Sequence, residues 1–395
     1  MPQEPLIIFV GHDASRTGAP MSLLRIVEWF ASNTSHPLSV ILRNGGSLEA
    51  EYAKHAAVQV WDQPYPTLWD PRRLVNKALR RLGHVDTALL SRHQASIVRG
   101  LSARTVGAIF SNTGLVGPIL AALRSALDVP VVSRIPELEA YMRKNNVDGS
   151  VDQVLALSDH FVAVSQAVKD NLVRRHAVAP ERITVVHGAC AAARLPRGTA
   201  RLREKLGIPE NAFVVGGCGT LDWRKGIDLF IQVANRAAKS PDCAGVYFCW
   251  IGAFVSESSS IELRREIELH SLGGRLFFLG EVPDTAPSLA ELDLFLLTSR
   301  EDPFPLVMLE AARQAVPIVC FEGSGGATEF VDDTIGAAVP MLDVTAMAQA
   351  VCDLKVAPER RAALAEAAHR RSLRYTPERM GEATYAVLKS VMKGG

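Results

Sequence analysis

Two carboxylates with seven residues between them, Asp302 and Glu310, stand in the stretch Ser299-Arg-Glu-Asp-Pro-Phe-Pro-Leu-Val-Met-Leu-Glu310. The apolar run Asp293–Thr298 ahead of them predicts a strand. Pro305 suits the first turn of a following helix, where its missing N–H has no intrahelical partner. The unpaired amides of such a turn favour an anion, a phosphate above all. A helix rises about 1.5 Å per residue, so the two acids can reach different parts of one elongated ligand. Taken singly, each acid has a plainer role: Asp302 as a helix cap and Glu310 as a solvated helix residue.

Three further loops carry chemistry of the same kind. Gly216-Gly-Cys-Gly-Thr-Leu-Asp-Trp-Arg-Lys-Gly226 leads from a strand into a helix expected over Ile227–Lys239. Its glycines let the backbone approach a ligand closely. Arg224 and Lys225 can neutralise a diphosphate, or simply be solvated. The loop is not a dinucleotide fingerprint, because Asp222 stands where the third glycine is needed, and no Walker A motif occurs in the chain. Gly323-Ser-Gly-Gly-Ala-Thr-Glu329 follows a strand and can cradle phosphate or make a tight turn. Gly11-His-Asp-Ala-Ser-Arg-Thr-Gly-Ala-Pro20 links the first strand to the first helix, with Arg16 and His12 as polar candidates. Val131-Val-Ser-Arg-Ile-Pro-Glu137 places Arg134 and Glu137 at another strand end.

Taken together, these segments strongly resemble the donor-site signature of retaining nucleotide-sugar glycosyltransferases of family 4, where the pattern is Glu, seven residues, Glu. Here Asp302 replaces the first Glu, with Glu301 beside it. The resemblance implies an α/β chain of two facing Rossmann-like domains with parallel sheets and a cleft between them, the GT-B architecture. It implies a sugar moved from a nucleoside diphosphate donor to a glycan or lipid-linked acceptor, in surface polysaccharide or glycolipid assembly. No metal and no cofactor are implied. Lys225 and Asp302 would be the catalytic pair. Arg224, Phe304, Pro305, Leu306, Val307, Glu310, Glu329 and Gly18 would hold the donor, and Arg16, Arg134 and Glu137 would touch acceptor or sugar. Two positions depart from the pattern: Thr220 stands where an arginine is expected, and Pro136 where a histidine is. They keep open a non-catalytic partner subunit, and a UDP-sugar epimerase of similar build is the other rival.

The elements that must position these loops are legible as alternation. Short β-branched runs alternate with amphipathic segments along the whole chain, which predicts parallel sheets. A chain of 395 residues favours two domains. They are expected at 1–188 and 205–375, with a linker at 189–204 and a final helix, about 376–395, that the resemblance packs on the first domain. Residues 1–200 hold 22 Lys/Arg against 16 Asp/Glu and the remainder 21 against 26, so the halves suit different partners. Six cysteines without a CxxC pair suggest neither a disulfide framework nor a zinc site, and a cytoplasmic protein is expected. Within 71–83, Leu74, Val75, Ala78, Leu79 and Leu82 share one helical face and five basic residues cover the rest. That segment either packs on its own domain or rests on the inner face of an anionic membrane. Nucleic acid is not expected, since no aromatics interleave with the basic residues.

Overall fold

The structure, a computed structural model, describes residues 4–63 and 87–393. The basic segment 71–83 lies outside the described residues. The chain forms two compact units. The first comprises the described residues of Met1–Val164, Lys169–Val186 and Met380–Gly395; the second comprises Ser165–Val168 and His187–Arg379.

Unit 1 carries seven strands: β1 (Leu6–Gly11), β2 (Leu38–Leu42), β3 (Ala57–Val60), β4 (Val106–Ser111), β5 (Val131–Ile135), β6 (His160–Ala163) and β7 (Ile183–Val185). They pair in parallel in the order β3-β2-β1-β4-β5-β6-β7. Unit 2 carries β8 (Phe213–Cys218), β9 (Val246–Ile251), β10 (Leu276–Gly280), β11 (Leu294–Leu297), β12 (Ile318–Phe321) and β13 (Gly336–Val339), in the parallel order β10-β9-β8-β11-β12-β13. The central strands are near-continuous apolar runs, as a sheet covered by helices on both faces requires. Every residue of β1, β2 and β11 is buried. Each sheet reverses its order beside its first strand, at β1/β4 and at β8/β11. Ligands of open α/β sheets bind outside the carboxyl ends of the strands at such points.

Aromatic packing closes each core. In unit 1, Phe9 meets Phe30 and Phe110 edge-on at 5.2 and 5.8 Å. Tyr385 of the last helix, Pro377–Lys393, sits 5.3 Å from Phe30. In unit 2, Phe230 packs against Phe248 and Trp250. The stretch expected as a linker is held within unit 2. The Leu195 amide donates to Gln314 Oε1 at 2.8 Å, and Gln314 Nε2 donates to the Ala193 carbonyl at 2.7 Å.

One expectation is overturned. Cys243, in the turn Pro241–Cys243, is disulfide-bonded to Cys352 of the helix Val344–Val356, 109 residues away. The pairing joins two elements that touch only through the fold, so cysteine spacing does not reveal it. Cys190, Cys218, Cys249 and Cys320 take no part in a disulfide. Denatured without reductant, the chain should expose four reactive thiols, and six after reduction. Closing a loop of this length contributes about 4 kcal/mol in the chain-entropy account. The Cys243→Ala/Cys352→Ala variant should therefore unfold at clearly lower urea concentration; an unchanged midpoint contradicts the bond.

Candidate functional site

The loops after β8, β11 and β12 converge on Asp302. Lys225 Nζ donates to Asp302 Oδ2 at 2.6 Å, and Ser299 Oγ donates to the same oxygen at 3.1 Å. Arg224 Nη1 lies 3.9 Å from it and donates to the Glu301 carbonyl at 3.2 Å. The side chains of Lys225 and Asp302 are 13% and 6% exposed, so the pair is largely screened from water. The backbone fastens the same residue to the third loop: the Asp302 amide donates to the Ser324 carbonyl, and the Gly326 amide donates to the Asp302 carbonyl at 3.1 Å.

Local sequence explains the approach of the first two loops. Gly226 has φ +70, and a Cβ there would lie 2.1 Å from the Thr298 carbonyl oxygen. Only glycine lets the chain turn this close to the end of β11. Thr298 Oγ1 then donates to the Lys225 carbonyl at 3.1 Å, and the Arg300 amide donates to the Arg224 carbonyl at 2.8 Å. Arg300 forks onto Asp228 at 2.8 and 2.6 Å. Pro305 stands one position outside the helix Leu306–Arg313, whose first amides follow it directly.

The remaining candidates separate into two groups. Glu310 lies on that helix, partly buried, and Oε2 accepts from Thr285 Oγ1 at 2.9 Å. Phe304 turns away into an aromatic cluster, stacked on Tyr375 and 4.7 Å from His187. Glu329 is engaged by the protein itself. Its carboxylate accepts from the Gln166 and Ala167 amides at 2.9 and 3.0 Å and from His187 Nε2 at 2.9 Å. Burial alone would raise this carboxyl; His187 and the two amides outweigh it and hold it below the usual range. Ser299 and Ser324, absent from the sequence-based candidates, complete the node around Asp302.

In unit 1, Gly18 opens the helix Gly18–Asn33, and its N-cap Thr17 makes no side-chain cap. Gly18 and Arg16 are exposed. His12 is held neutral-leaning by burial, against the pull of Asp13. Asn112, after β4, donates through Nδ2 to the Ala19 carbonyl at 2.7 Å and accepts from Arg134 Nη1 at 3.0 Å. Glu137 is buried, accepting from Thr113 Oγ1 and from the Gly114 amide. Burial pushes its carboxyl up to about 7, against those two donors and Arg134.

Residues 212–355 match the family described as "Glycosyl transferases group 1". The matched segment contains Lys225, Asp302, Glu310 and Glu329, and it lies within unit 2. Among curated relatives, the O-antigen biosynthesis glycosyltransferase WclY of Escherichia coli is 29% identical over 117 residues, 30% of this chain and 31% of WclY. The lipopolysaccharide core biosynthesis glycosyltransferase LpsE of Rhizobium meliloti (strain 1021) is 30% identical over 176 residues, 44% of this chain and 49% of LpsE. The chain thus spans between about a third and a half of the length of these relatives. Anabaena Alr3699/HepE in complex with UDP and glucose superimposes with a TM-score of 0.79 at 22% identity, covering 97% of this chain and 99% of that one. At that identity the likeness establishes the fold: two parallel-sheet Rossmann-like units, as in GT-B glycosyltransferase structures.

Two outcomes test the geometry. Removing one member of a screened ion pair strands the other, at a cost of about 3 kcal/mol. Lys225→Met and Asp302→Asn should each lower stability in urea, with the double variant less destabilised than the sum; strict additivity would show that the two do not interact. Glu137 tests the second cluster. Its folded pKa of about 7 is raised above the ordinary value near 4.3, so its stabilising contribution is complete below pH ~4.3 and is lost as pH rises through about 7. Glu137→Gln should gain on the parent across that window, by up to about 3 kcal/mol. A flat difference in melting temperature from pH 4.5 to 8 contradicts the buried carboxyl.

Proposed function

We propose that the protein is a retaining glycosyltransferase of family 4 that moves a sugar from a nucleoside diphosphate sugar to an acceptor hydroxyl. The observation that carries this is the Lys225–Asp302 node at the β8/β11 reversal, with a helix N-terminus beside it. Lys225 and Arg224, with the Leu306 and Val307 amides, stabilise the charge that develops on the departing diphosphate. Donors fixed in place before the reaction do this without reorganisation. Taking up the diphosphate draws Lys225 away from Asp302, and the freed carboxylate then faces the transferred sugar. Asp is one methylene shorter than Glu, so this contact is made at shorter reach. Arg224 supplies the guanidinium that Thr220 does not. Glu310 holds the ribose hydroxyls. Phe304 and Pro305 shape the turn.

Attack and departure on the same face of the sugar retain its configuration. Basic side chains and helix amides take the part that a metal plays elsewhere, so neither metal nor cofactor is needed. The O-antigen and lipopolysaccharide-core roles of WclY and LpsE support a glycan or glycolipid acceptor in surface polysaccharide assembly, and the UDP and glucose of the HepE complex support a nucleotide-sugar donor. This reading places the reaction in the cytoplasm, a compartment in which a bond such as Cys243–Cys352 is rare.

Thermal shifts with UDP, GDP, ADP and CMP test the donor site. One nucleoside diphosphate should stabilise the protein, by about 2.7 kcal/mol at 100 times its dissociation constant, and the shift should vanish in Lys225→Ala. With the matching sugar donor, Asp302→Ala should lower kcat about 100-fold, and EDTA should leave the parent rate unchanged. Silence across the nucleotide panel favours the non-catalytic partner subunit. Donor consumption without an acceptor favours the epimerase.

A further inference from the structure

Among the described residues, Arg134 is a buried cation without an ion pair, and Glu137 acts on it only from beyond 4 Å. It occupies the carboxyl-terminal part of β5 and is 2% exposed. Its one hydrogen bond among the described residues runs from Nη1 to Asn112 Oδ1, a neutral acceptor. Its Nε is buried and has no partner there, and among the described residues no carboxylate oxygen lies within 4 Å. Arg203, the other buried guanidinium with an unpartnered Nε, provides the contrast: Glu291 and Asp293 neutralise it at 3.5 and 3.1 Å. A buried charge without a partner costs folding free energy and is kept where something else supplies the partner.

The surroundings favour a ligand over an internal partner. Glu137, the nearest acid to act on Arg134, gives its oxygens to Thr113 and the Gly114 amide. Its carboxyl is pushed up to about 7 by burial, so near neutral pH it is a poor counter-ion. Asn112 holds Nη1 and is itself anchored to the Ala19 carbonyl. The guanidinium plane is thereby fixed, with its Nε–Nη2 edge left over. That edge presents two parallel N–H groups at the spacing of two oxygens of one carboxylate or phosphate. It stands at the carboxyl end of β5, beside the β1/β4 reversal, where α/β sheets take their ligands.

We propose that Arg134 binds an anionic group of the acceptor, a carboxylate or a phosphate carried near the hydroxyl that receives the sugar. The acceptor is then an acidic or phosphorylated glycan and not a neutral one. This rests on the transferase reading given above, with unit 1 holding the acceptor.

The test is thermal unfolding with saturating UDP, so that the basic groups of unit 2 are already occupied. Glucuronate and inorganic phosphate are added separately, with glucose as the uncharged control. The parent should gain several degrees with one or both anions and nothing with glucose. The gain should be lost in Arg134→Met and partly kept in Arg134→Lys. Glucuronate alone identifies a carboxylate, and phosphate alone a phosphate. Without anion, Arg134→Met should be at least as stable as the parent, since it removes an uncompensated charge. No anion-dependent gain in the parent, a gain that survives in Arg134→Met, or a clearly destabilised Arg134→Met without anion would each overturn the proposal. A protein that responds to the anions but not to UDP would instead retire the transferase reading and leave the anion site standing.

Discussion

The short ion pair between Lys225 and Asp302 organises the second unit. It links loops that leave adjacent strands, β8 and β11, and the Asp302 backbone passes the link on to the loop after β12. A pair this well screened is stabilising only while both charges are present. The sheet accepts that constraint because Gly226 allows the first loop to lie against the end of β11. What results is a cation beside a helix N-terminus, with its counter-charge supplied by Asp302. On the proposed reading, an anionic ligand competes with Asp302 for the same ammonium, so that binding would expose the carboxylate.

The two units use the same topology for different electrostatics. Both sheets reverse order beside their first strand, and in both the polar side chains gather at the carboxyl ends of the strands around that reversal. Unit 2 pairs its charges: Lys225 with Asp302, Arg203 with Asp293, and the half-exposed Asp228 with Arg300. Unit 1 buries Arg134 against a neutral amide and leaves Glu137 with a hydroxyl and an amide as partners.

Much of the fold was legible from the chain because parallel strands covered on both faces are near-continuous apolar runs. Leu6–Gly11, Leu38–Leu42 and Val106–Ser111 stand where the runs predict. β13 escaped because Gly336-Ala-Ala-Val339 carries only one of the β-branched residues that mark a strand. A Cβ at Gly336 would lie 1.8 Å from the Ile318 carbonyl oxygen, so the residue that permits the pairing is the one that hides it. The site was legible as types and spacing: basic loop, acid, helix, acid. Its connections were not. Lys225 and Asp302 are 77 positions apart, and Ser324 joins them only through the backbone of a third loop. Glu329 shares the glycine-rich turn with that loop, yet its oxygens go to Gln166, Ala167 and His187, more than 140 residues earlier. Phe304 sits inside the motif and packs away from it. The disulfide joined cysteines whose separation carries no signal.

A crystal structure with the nucleoside diphosphate that binds would show whether the node around Asp302 receives it. A phosphate oxygen is expected within hydrogen-bond distance of Lys225 Nζ and of the Leu306 or Val307 amide, with the Lys225–Asp302 contact lengthened beyond its present 2.6 Å. A diphosphate bound elsewhere, with that contact unchanged, would contradict it.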